Sequence, residues 1–473
     1  MKTAVVWLRR DLRLDDQPAL RAALEAGQVP VPLYIHAPHE EGAWAPGAAS
    51  DAWLQRSLQA LGEDLRARGS GLVLRRGDSA QVLAEVIAEC GAEAVYWTRK
   101  YEPATQPRDA RIKRTLREQG IACESFNGAL LFEPWELATQ QGGPYKVFTP
   151  YWRSALAQWR VAAPWQAPAQ LPAPPKLGSD ALASWGLQPS PRWDSGFWSH
   201  WQPGEVGAHE MLAAFVEGAL QGYREQRDLP DRIGTSQLSP HLHFGEIAPW
   251  RIVHALQSLE GAAPATDRDA YVRQLGWRDF AYHLLHHFPR TADHNLDARF
   301  DRFPWAGSDE EAVRAWQQGR TGIPIVDAGM RELWATGYMH NRVRMIVASL
   351  LCKHLRQHWR VGARWFWDTL VDADLANNTL GWQWVAGTGA DAAPYFRVFN
   401  SVAQARRFDV QGRYIARWVP ELARLPVAQR FAPWEHPEAL KTHAPDYPPQ
   451  PIVDLVQGRV DALAAYARMR ATA

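Results

Sequence analysis

Short apolar runs alternate with amphipathic helical patterns over the first 125 residues of the chain. The predicted strands cover residues 3–8, 29–35, 72–76, 94–97 and 121–125, and the predicted helices cover 17–27, 50–68, 79–90 and 107–119. Strands and helices that alternate at this spacing are typical of βαβ units, so we expect a parallel, Rossmann-like sheet with helices on both faces. The segment LRRDLR follows the first strand where a GxGxxG pattern would stand, which argues against a dinucleotide site there.

The chain changes character after this region. A proline-rich segment predicts an extended connector with short helices within it. Beyond Gly204 the strand signals largely vanish, and apolar residues recur at spacings of three and four. These helical patterns cover residues 208–221, 249–259, 268–287, 309–319, 325–337, 341–357 and 363–371. We therefore predict an α/β domain (1–130), a connector (131–204) and a larger all-α domain (205–473).

Composition excludes several classes of protein. Hydrophobic residues make up 46% of the chain and charged residues 22%, as in ordinary soluble globular proteins. We expect a cytoplasmic protein without membrane contact, because no apolar run is long enough to span a bilayer and the first residues are too charged for a signal peptide. Three dispersed cysteines, without HExxH or CxxC patterns, predict neither disulfides nor a metal site. Since the net charge is only +1, any nucleic-acid contact must rest on a local basic patch.

The most unusual stretch runs from Asp372 to Phe399, with the sequence DADLANNTLGWQWVAGTGADAAPYFRVF. It combines acids, paired amides, two nearby tryptophans and an arginine. Buried acids and amides need partners, because leaving them unpaired is costly. The mixture favours a polar pocket for a large planar ligand. A tryptophan-rich loop that caps a helix is the alternative interpretation.

Other segments carry groups that suit such a ligand. GTSQLSPHLHFGEI (234–247) clusters hydroxyl side chains at a predicted helix start, where they would hold phosphate or simply cap the helix. Arg344 with Asp372 or Asp374 would contact the ligand or form a structural ion pair. The residue pair Asn341 and Met345 shares one predicted helical face, and so does a set on a second helix (Gln274, Trp277, Arg278). Seven arginines between 397 and 430, interleaved with aromatic residues, are a candidate phosphate-contacting surface or an ordinary solvated face.

Together these residues resemble the DNA photolyase/cryptochrome family, and the likeness extends over nearly the whole chain. The blocks that carry it, in the family's order, are VVWLRRDLRLDDQPAL, FTPYWR, GTSQLSPHLHFGEI, QLGWRDF, TGIPIVDAGMREL, GYMHNRVRM, DADLANN, GWQW and DAAPYFRVFN. The resemblance implies an N-terminal α/β domain, a connector and a helical domain that binds FAD.

The resemblance also implies roles for individual residues. The implied FAD contacts are Tyr223, Thr235, Ser236, Gln237, Leu238, Ser239, Gln274, Arg278, Arg344, Asp372, Asp374 and Asn378. Asn378 matches the residue that faces flavin N5, where an amide stabilises reduced states by hydrogen bonding. Trp382, Trp359 and Trp305 match the family's tryptophan chain, which relays electrons from the surface to the photoexcited flavin, with Trp305 outermost.

The implied substrate is DNA that contains a cyclobutane pyrimidine dimer. Such a dimer must be flipped out of the duplex, and its weakened pairing makes this easier. The implied contacts to the DNA backbone or the lesion are Arg227, Arg342 and Arg397. Trp277 and Trp384 would form an aromatic wall for the flipped dimer. In the family, light-excited reduced FAD donates one electron, the cyclobutane ring opens, and the electron returns.

A few positions bear on the choice of lesion within the family. Asn341 and Met345 match the cyclobutane-dimer enzymes, whereas (6-4) photolyases carry histidines there, because their rearrangement needs an acid. His340 is adjacent but points about 100° away on a helix. Gln274 departs from the glutamate usual in cyclobutane-dimer enzymes. An amide keeps a hydrogen bond to the pyrimidine but cannot share a proton, so we expect slower repair.

The antenna and the biological role leave alternatives open. Tyr101-Glu102 is followed by Pro-Ala-Thr-Gln and not by the Asn-Glu pair of folate-binding members. The resemblance therefore implies a deazaflavin or FMN as second chromophore more than a folate, or else an empty site. A blue-light cryptochrome photoreceptor is the main alternative function, and a (6-4) photolyase is a further one. The chain lacks the long C-terminal extension of many cryptochromes, which favours the enzyme. We expect a monomer.

Overall fold

A computed structural model describes residues 2–259, 263–307, 309–391 and 396–471. Four residues of the DAAPYFRVFN block (392–395) and the last two residues of the predicted helical domain lie outside the described residues. The described chain forms two compact units. The first comprises Met1–Arg192, Trp198–Gln221 and Ser236–Pro289, and the second comprises Trp193–Phe197, Gly222–Thr235 and Arg290–Ala473. The predicted domain boundaries at 130 and 204 stay a prediction.

The first unit contains one parallel sheet of five strands in the order β3-β2-β1-β4-β5. The strands are β1 (Thr3–Leu8), β2 (Val29–His36), β3 (Val73–Arg76), β4 (Ala92–Thr98) and β5 (Ala122–Phe126). On the central strand, Val5 pairs with Val31 on one side and with Val95 on the other. Every residue of β1 is buried, as its continuous apolar run predicts for a strand covered on both faces. The predicted parallel α/β fold is confirmed.

Four helices connect these strands. They are α1 (Pro18–Glu25), α2 (Ala48–Ala67), α3 (Ser79–Cys90) and α4 (Thr105–Glu118). Because crossovers between parallel strands are almost always right-handed, a strand order that reverses next to β1 is expected to put helices on both faces of the sheet. On one face Trp7, Leu33 and Trp97 pack with Val86 of α3 and Ile112 of α4 in a single apolar core.

The remainder of the described chain is mostly helical, and beyond Gly204 its described residues form no strand. The helices are α5 (Phe148–Ala157), α6 (Glu205–Ala214), α7 (Tyr223–Gln226), α8 (Ser239–Phe244), α9 (Pro249–Gln257), α10 (Ala265–His287), α11 (Glu310–Gln317), α12 (Pro324–Thr336), α13 (Asn341–Ser349), α14 (Trp359–Thr369), α15 (Leu375–Ala386), α16 (Ser401–Phe408), α17 (Arg413–Trp418), α18 (Val427–Arg430), α19 (Pro437–His443) and α20 (Leu455–Ala471). In the second unit α15 packs against α13 and α14, and α12 packs against α13 and α17.

Several predicted helical segments differ from the observed helices at their ends, and in two of them the structure shows the cause. The segment predicted as one helix over 341–357 is α13 followed by a π-helical turn at Leu350–His354, and Arg356 then adopts a φ of +48° that ends it. The helix predicted from residue 363 begins earlier, at Trp359, because the His358 ring accepts a hydrogen bond from the Arg360 backbone N–H (3.2 Å). A side-chain cap of this kind fixes where a helix starts.

Helix α15 lies in the stretch from Asp372 to Phe399 and was not among the predicted helices. Its paired amides and tryptophans break the apolar spacing that predicts a helix. Of the helices that the structure describes, none is long and apolar enough to cross a bilayer.

Candidate active site

Helix α15 holds the residues that made this segment unusual. The Asp374 carboxylate caps it, accepting hydrogen bonds from the backbone N–H and the side-chain Nδ2 of Asn377 (2.9 and 2.7 Å). The helix ends at Gly387, whose φ of +80° suits glycine. The helix-capping interpretation of the stretch therefore holds in part, because Asp374 caps the helix that carries Asn378, Trp382 and Trp384, and the pocket for a planar ligand stays a prediction.

Arg344 and Asp372 form an ion pair in the second unit. Nη2 of Arg344 lies 3.0 and 2.8 Å from the two carboxylate oxygens of Asp372, and Nε donates to the Met339 carbonyl (2.7 Å). Burial lowers the pKa of Arg344, but the Asp372 carboxylate outweighs it and the net shift is upward. The guanidinium is thus a permanent, half-buried cation that joins α13 to the segment before α15.

Asn378 is tied to the neighbouring helix. Its Nδ2 donates to the Ala363 carbonyl of α14 (3.0 Å). A side-chain amide that is held through its nitrogen keeps one orientation, which is what recognition of a ring nitrogen or carbonyl requires. The predicted place of this amide beside flavin N5 stays a prediction.

Trp382 is buried between α14 and its neighbours. Its indole lies against Gly362, where an added Cβ would be 1.9 Å from Cη2 of the indole. The ring meets Phe366 edge-on at 5.0 Å and Trp316 at 6.2 Å between centroids. Gly362 is therefore required for the close approach, since any larger residue would displace the indole.

The other two tryptophans of the predicted relay lie at increasing exposure. Trp359 is fully buried, and its Nε1 donates to Oδ1 of Asn295 (2.9 Å), whereas Trp305 is half-buried. The His358 ring contacts both indoles, with centroids at 5.0 Å from Trp305 and 5.5 Å from Trp359. This gradient of burial agrees with Trp305 as the outermost member, and the relay itself stays a prediction.

Helix α13 presents the residues that bear on the choice of lesion. Asn341 is exposed at its first position, and Sδ of Met345 lies 3.8 Å from Nη1 of Arg342. Arg342 also pairs with Asp228 (2.9 Å). His340 is buried and caps α13 through Nδ1, and burial lowers its pKa to about 4. This imidazole is neutral at pH 7 and is held inside the unit.

A half-buried carboxyl group supports the start of α13. Glu332 of α12 accepts hydrogen bonds from the Tyr414 hydroxyl (2.5 Å) and the His340 backbone N–H (3.3 Å). Burial raises the pKa of Glu332 to about 7. The group therefore takes up a proton within the physiological range, on the helix pair that carries Arg342 and Arg344.

We expect Glu332→Gln to remove part of the pH dependence of stability. The pKa of Glu332 is about 7 in the folded protein and near 4.5 without burial. Its stabilising contribution is thus fully present below pH 4.5 and is lost as the pH rises through 7, a change of about 3 kcal/mol. Urea unfolding of both proteins across this window measures the difference. Parallel pH profiles for the two proteins would contradict the assignment.

The first unit contains the Ser236–Ser239 loop. The Ser236 hydroxyl accepts hydrogen bonds from the Tyr271 hydroxyl (2.8 Å) and the Leu238 backbone N–H (3.3 Å). Gln237 has a φ of +54°, and Leu238 is buried where α8 begins. The loop is therefore internally fixed, and its hydroxyls and backbone N–H groups suit phosphate or ribityl oxygens.

Helix α10 presents the other predicted contacts of the first unit. Gln274 is half-buried and donates from Nε2 to the Ala270 carbonyl (3.1 Å). Arg278 donates to the backbone carbonyls of Ala129 and Leu242, so part of its guanidinium is used within the unit. Trp277 is half-buried beside them.

The remaining predicted residues belong to the second unit. Tyr223 is buried, Arg227 lies over its ring at 5.6 Å, and burial raises the pKa of the Tyr223 hydroxyl to about 12. Thr235 hydrogen-bonds to the half-buried Tyr338. Nε1 of Trp384 donates to the Asp391 carbonyl (3.0 Å), and Arg397 is exposed.

The chemistry of both donor sets fits FAD. The second unit offers a permanent cation beside a carboxylate, an oriented amide and a buried indole, which suit an isoalloxazine ring. The first unit offers a fixed loop of hydroxyls and N–H groups, which suits the diphosphate and ribityl chain. Each predicted contact stays a prediction.

Three residues that shape these groups escaped the sequence interpretation. They are Phe148, which stacks on Trp277; Gly362, which admits Trp382; and Asp228, which pairs with Arg342. The FTPYWR block signals Phe148, because an aromatic residue at a predicted helix start often packs on another ring. Nothing in the spacing of Gly362 or Asp228 indicates their partners.

Comparison with known proteins gives two family matches. The model described as "DNA photolyase" matches residues 4–175, and that described as "FAD binding domain of DNA photolyase" matches residues 271–468. Together they account for both the α/β region and most of the helical region.

Individual proteins are similar over the whole chain. A deoxyribodipyrimidine photo-lyase of Agrobacterium fabrum is 47% identical, covering 100% of this chain and 99% of that protein. The crystal structure of a bacterial class III photolyase from Agrobacterium tumefaciens is 46% identical with a TM-score of 0.95, covering 99% of this chain and 98% of that one. Cryptochrome-1 of Arabidopsis thaliana is 38% identical, covering 92% of this chain and 65% of that protein.

Proposed function

This chain belongs to the DNA photolyase family, and we propose that it uses blue light to split cyclobutane pyrimidine dimers in DNA. The observation that carries the proposal is the start of α13. Asn341 is exposed there and Met345 is half-buried, while the adjacent His340 is buried, neutral and engaged as a helix cap. Ring splitting needs no protonated histidine, whereas a (6-4) rearrangement does. The full-length similarity to a deoxyribodipyrimidine photo-lyase supports the same function.

FAD is the cofactor that the family match supports. When bound and reduced, it supplies the light-excited electron that opens the cyclobutane ring. Arg344 with Asp372 sets the charge beside the flavin, and Asn378 offers it an amide held by α14. Trp382, Trp359 and Trp305 would relay electrons from an external reductant at the protein surface to an oxidised flavin, and so restore its reduced state. Their burial keeps the inner indoles dry and leaves the outermost one half-exposed.

Recognition of the lesion uses cations for the backbone and rings for the bases. Arg342 is fixed between Asp228 and the Phe408 ring, 4.3 Å from its centroid, so its cation is oriented before DNA arrives. Arg227 and Arg397 add charges that attract phosphate. Trp277 and Trp384 stack on the flipped pyrimidines, and each such contact is worth about 1–3 kcal/mol per base.

Replacing the amide of Gln274 with a carboxyl group should have a modest effect on the repair yield. We expect Gln274→Glu to raise the number of dimers repaired per absorbed photon by about twofold, because a carboxyl group can share a proton with the pyrimidine. The measurement is repair against light dose at saturating DNA. An unchanged yield would exclude a role for this position in slowing repair.

A second chromophore belongs to the same proposal. In the first unit, the Tyr101 hydroxyl donates to Glu133 (2.8 Å) and Glu102 pairs with Arg10, so both members of the Tyr-Glu pair have partners within the unit. We propose that any antenna is a folate, a deazaflavin or FMN. Absorbance of the released cofactors identifies it. We further propose a monomer in the cytoplasm.

A paired repair assay tests the function. Reduced protein is incubated with oligonucleotides that contain either a cyclobutane dimer or a (6-4) product, in blue light and in darkness. We expect restored pyrimidine absorbance with the first lesion only, and only in light. Repair of the (6-4) product instead would identify a (6-4) photolyase. Repair of neither, with intact light-driven flavin reduction, would favour a cryptochrome photoreceptor, which the similarity to Arabidopsis thaliana cryptochrome-1 makes the second candidate.

A further inference from the structure

The FTPYWR segment starts α5, and its first residue lies against Trp277. The Phe148 and Trp277 rings stack with centroids 3.7 Å apart and planes inclined by only 9°. Phe148 is fully buried, whereas Trp277 is half-buried. The Phe148 ring therefore covers one face of the Trp277 indole. The exposed part of Trp277 lies on the rest of the indole surface.

Other residues hold this stack in place. Trp152, one turn further along α5, is nearly parallel to Phe148 (10°, 6.1 Å). Helix α10 approaches it closely, because a Cβ added to Gly276 would be 2.3 Å from Cζ3 of Trp152. Phe280 meets both Phe148 and Trp277 edge-on, at 5.7 and 5.8 Å. The packing leaves little room for either stacked ring to tilt.

We propose that Phe148 is a positioning residue that fixes the plane of Trp277 for stacking on one base of the flipped dimer. This inference rests on the proposed function. A free indole side chain samples several rotamers, and ordering it during binding reduces affinity. With Phe148 in place, the indole of Trp277 is already ordered when the protein folds, because the face-to-face contact fixes the orientation of its plane. Trp277 then presents a preorganised surface to the base.

Two matched variants separate positioning from general packing. Phe148→Leu removes the ring that stacks face to face on Trp277. Phe280→Leu removes an equally buried ring that contacts the same indole only edge-on. Affinity in darkness is measured for an oligonucleotide with one thymine dimer and for its undamaged counterpart, with flavin content determined for each protein.

We expect Phe148→Leu to weaken binding of the dimer about tenfold and to leave binding of undamaged DNA unchanged, since stacking serves only the flipped base. Phe280→Leu is expected to lose much less affinity for the dimer than Phe148→Leu does, because the face-to-face contact that sets the plane of Trp277 remains. If Phe148→Leu does not fold, Phe148→Met takes its place, because a thioether fills the volume without a flat face.

The outcomes distinguish the inference from the proposed function. A wild-type protein that does not prefer the dimer would overturn both. A wild type that prefers it, with Phe148→Leu equally selective, would overturn the role of Phe148 alone. Equal losses of selectivity in both variants would also overturn it, because packing of any ring would then suffice.

Discussion

Gly362→Ala is expected to destabilise the protein by about 2–3 kcal/mol, the cost of overpacking a tight core. The added Cβ would stand 1.9 Å from Cη2 of Trp382, a distance that no contact of this kind tolerates. The indole is buried and confined by Phe366 and Trp316, so it cannot move without shifting α15 or α14. Because Asn378 is hydrogen-bonded to α14, the same shift would disturb the amide.

Gly381→Ala is the matched control. Gly381 lies inside α15, next to Trp382 in sequence, and the described part of the chain has no heavy atom within 4 Å of a Cβ added there. Alanine favours helix over glycine by up to about 1 kcal/mol, so this variant should be as stable as the wild type or more so. Denaturant unfolding and the rate of light-driven flavin reduction measure both proteins. Wild-type stability and reduction in Gly362→Ala would disprove the packing argument.

Arg344→Gln is expected to destabilise the protein by about 3 kcal/mol, the lower end of the cost of removing one partner of a buried ion pair, because Asp372 is buried but Arg344 is half-buried. The Asp372 carboxylate is only 9% exposed and would lose the cation that contacts both of its oxygens. The Met339 carbonyl would lose its donor as well. Because the pair lies among the predicted flavin contacts, we also expect the variant to retain less FAD during purification.

Two further variants sharpen this prediction. Asp372→Asn in the Arg344→Gln background removes the charge that has lost its guanidinium and should recover part of the lost stability. Arg364→Gln removes an arginine from an exposed pair with Asp293 (3.6 Å), for which we expect a change below about 1 kcal/mol. Urea unfolding compares all three with the wild type. Similar losses for Arg344→Gln and Arg364→Gln would show that burial of the first pair contributes nothing.

The sheet and most helices were predictable because their residues obey simple periodicities. The apolar run of β1 and its successors predicts buried parallel strands, and each of the five was found within a few residues of its predicted range. Helix α15 was missed because polar residues stand where apolar ones would recur at helical spacing. Asp374, Asn378 and Trp382 follow one another at intervals of four, but Asp374 caps the helix, Asn378 is an amide bonded to α14, and only Trp382 packs as an apolar side chain.

The chemical types of the candidate site residues were predictable from the sequence, but not all of the residues that hold them in place were. The sequence indicates that Arg344 and Trp277 have partners, and it narrows the partner of Arg344 to Asp372 or Asp374, of which the structure shows Asp372. It does not indicate Phe148 as the partner of Trp277. Asp372 lies 28 residues beyond Arg344, and Phe148 lies far before Trp277, so only the fold brings each pair together. Spacing rules act within one helix or strand and do not reach that far.

The central claim is that light, FAD and this chain together reverse cyclobutane dimers. The most direct measurement uses protein whose flavin has been chemically reduced in darkness, mixed anaerobically with excess thymine-dimer oligonucleotide and exposed to blue light. Trp382→Phe is measured alongside, because its indole is proposed to refill the flavin and not to act on DNA. We expect the wild type and Trp382→Phe each to restore more dimers than there are protein molecules, and only in light. No restored dimer with reduced, flavin-loaded wild type would contradict the claim.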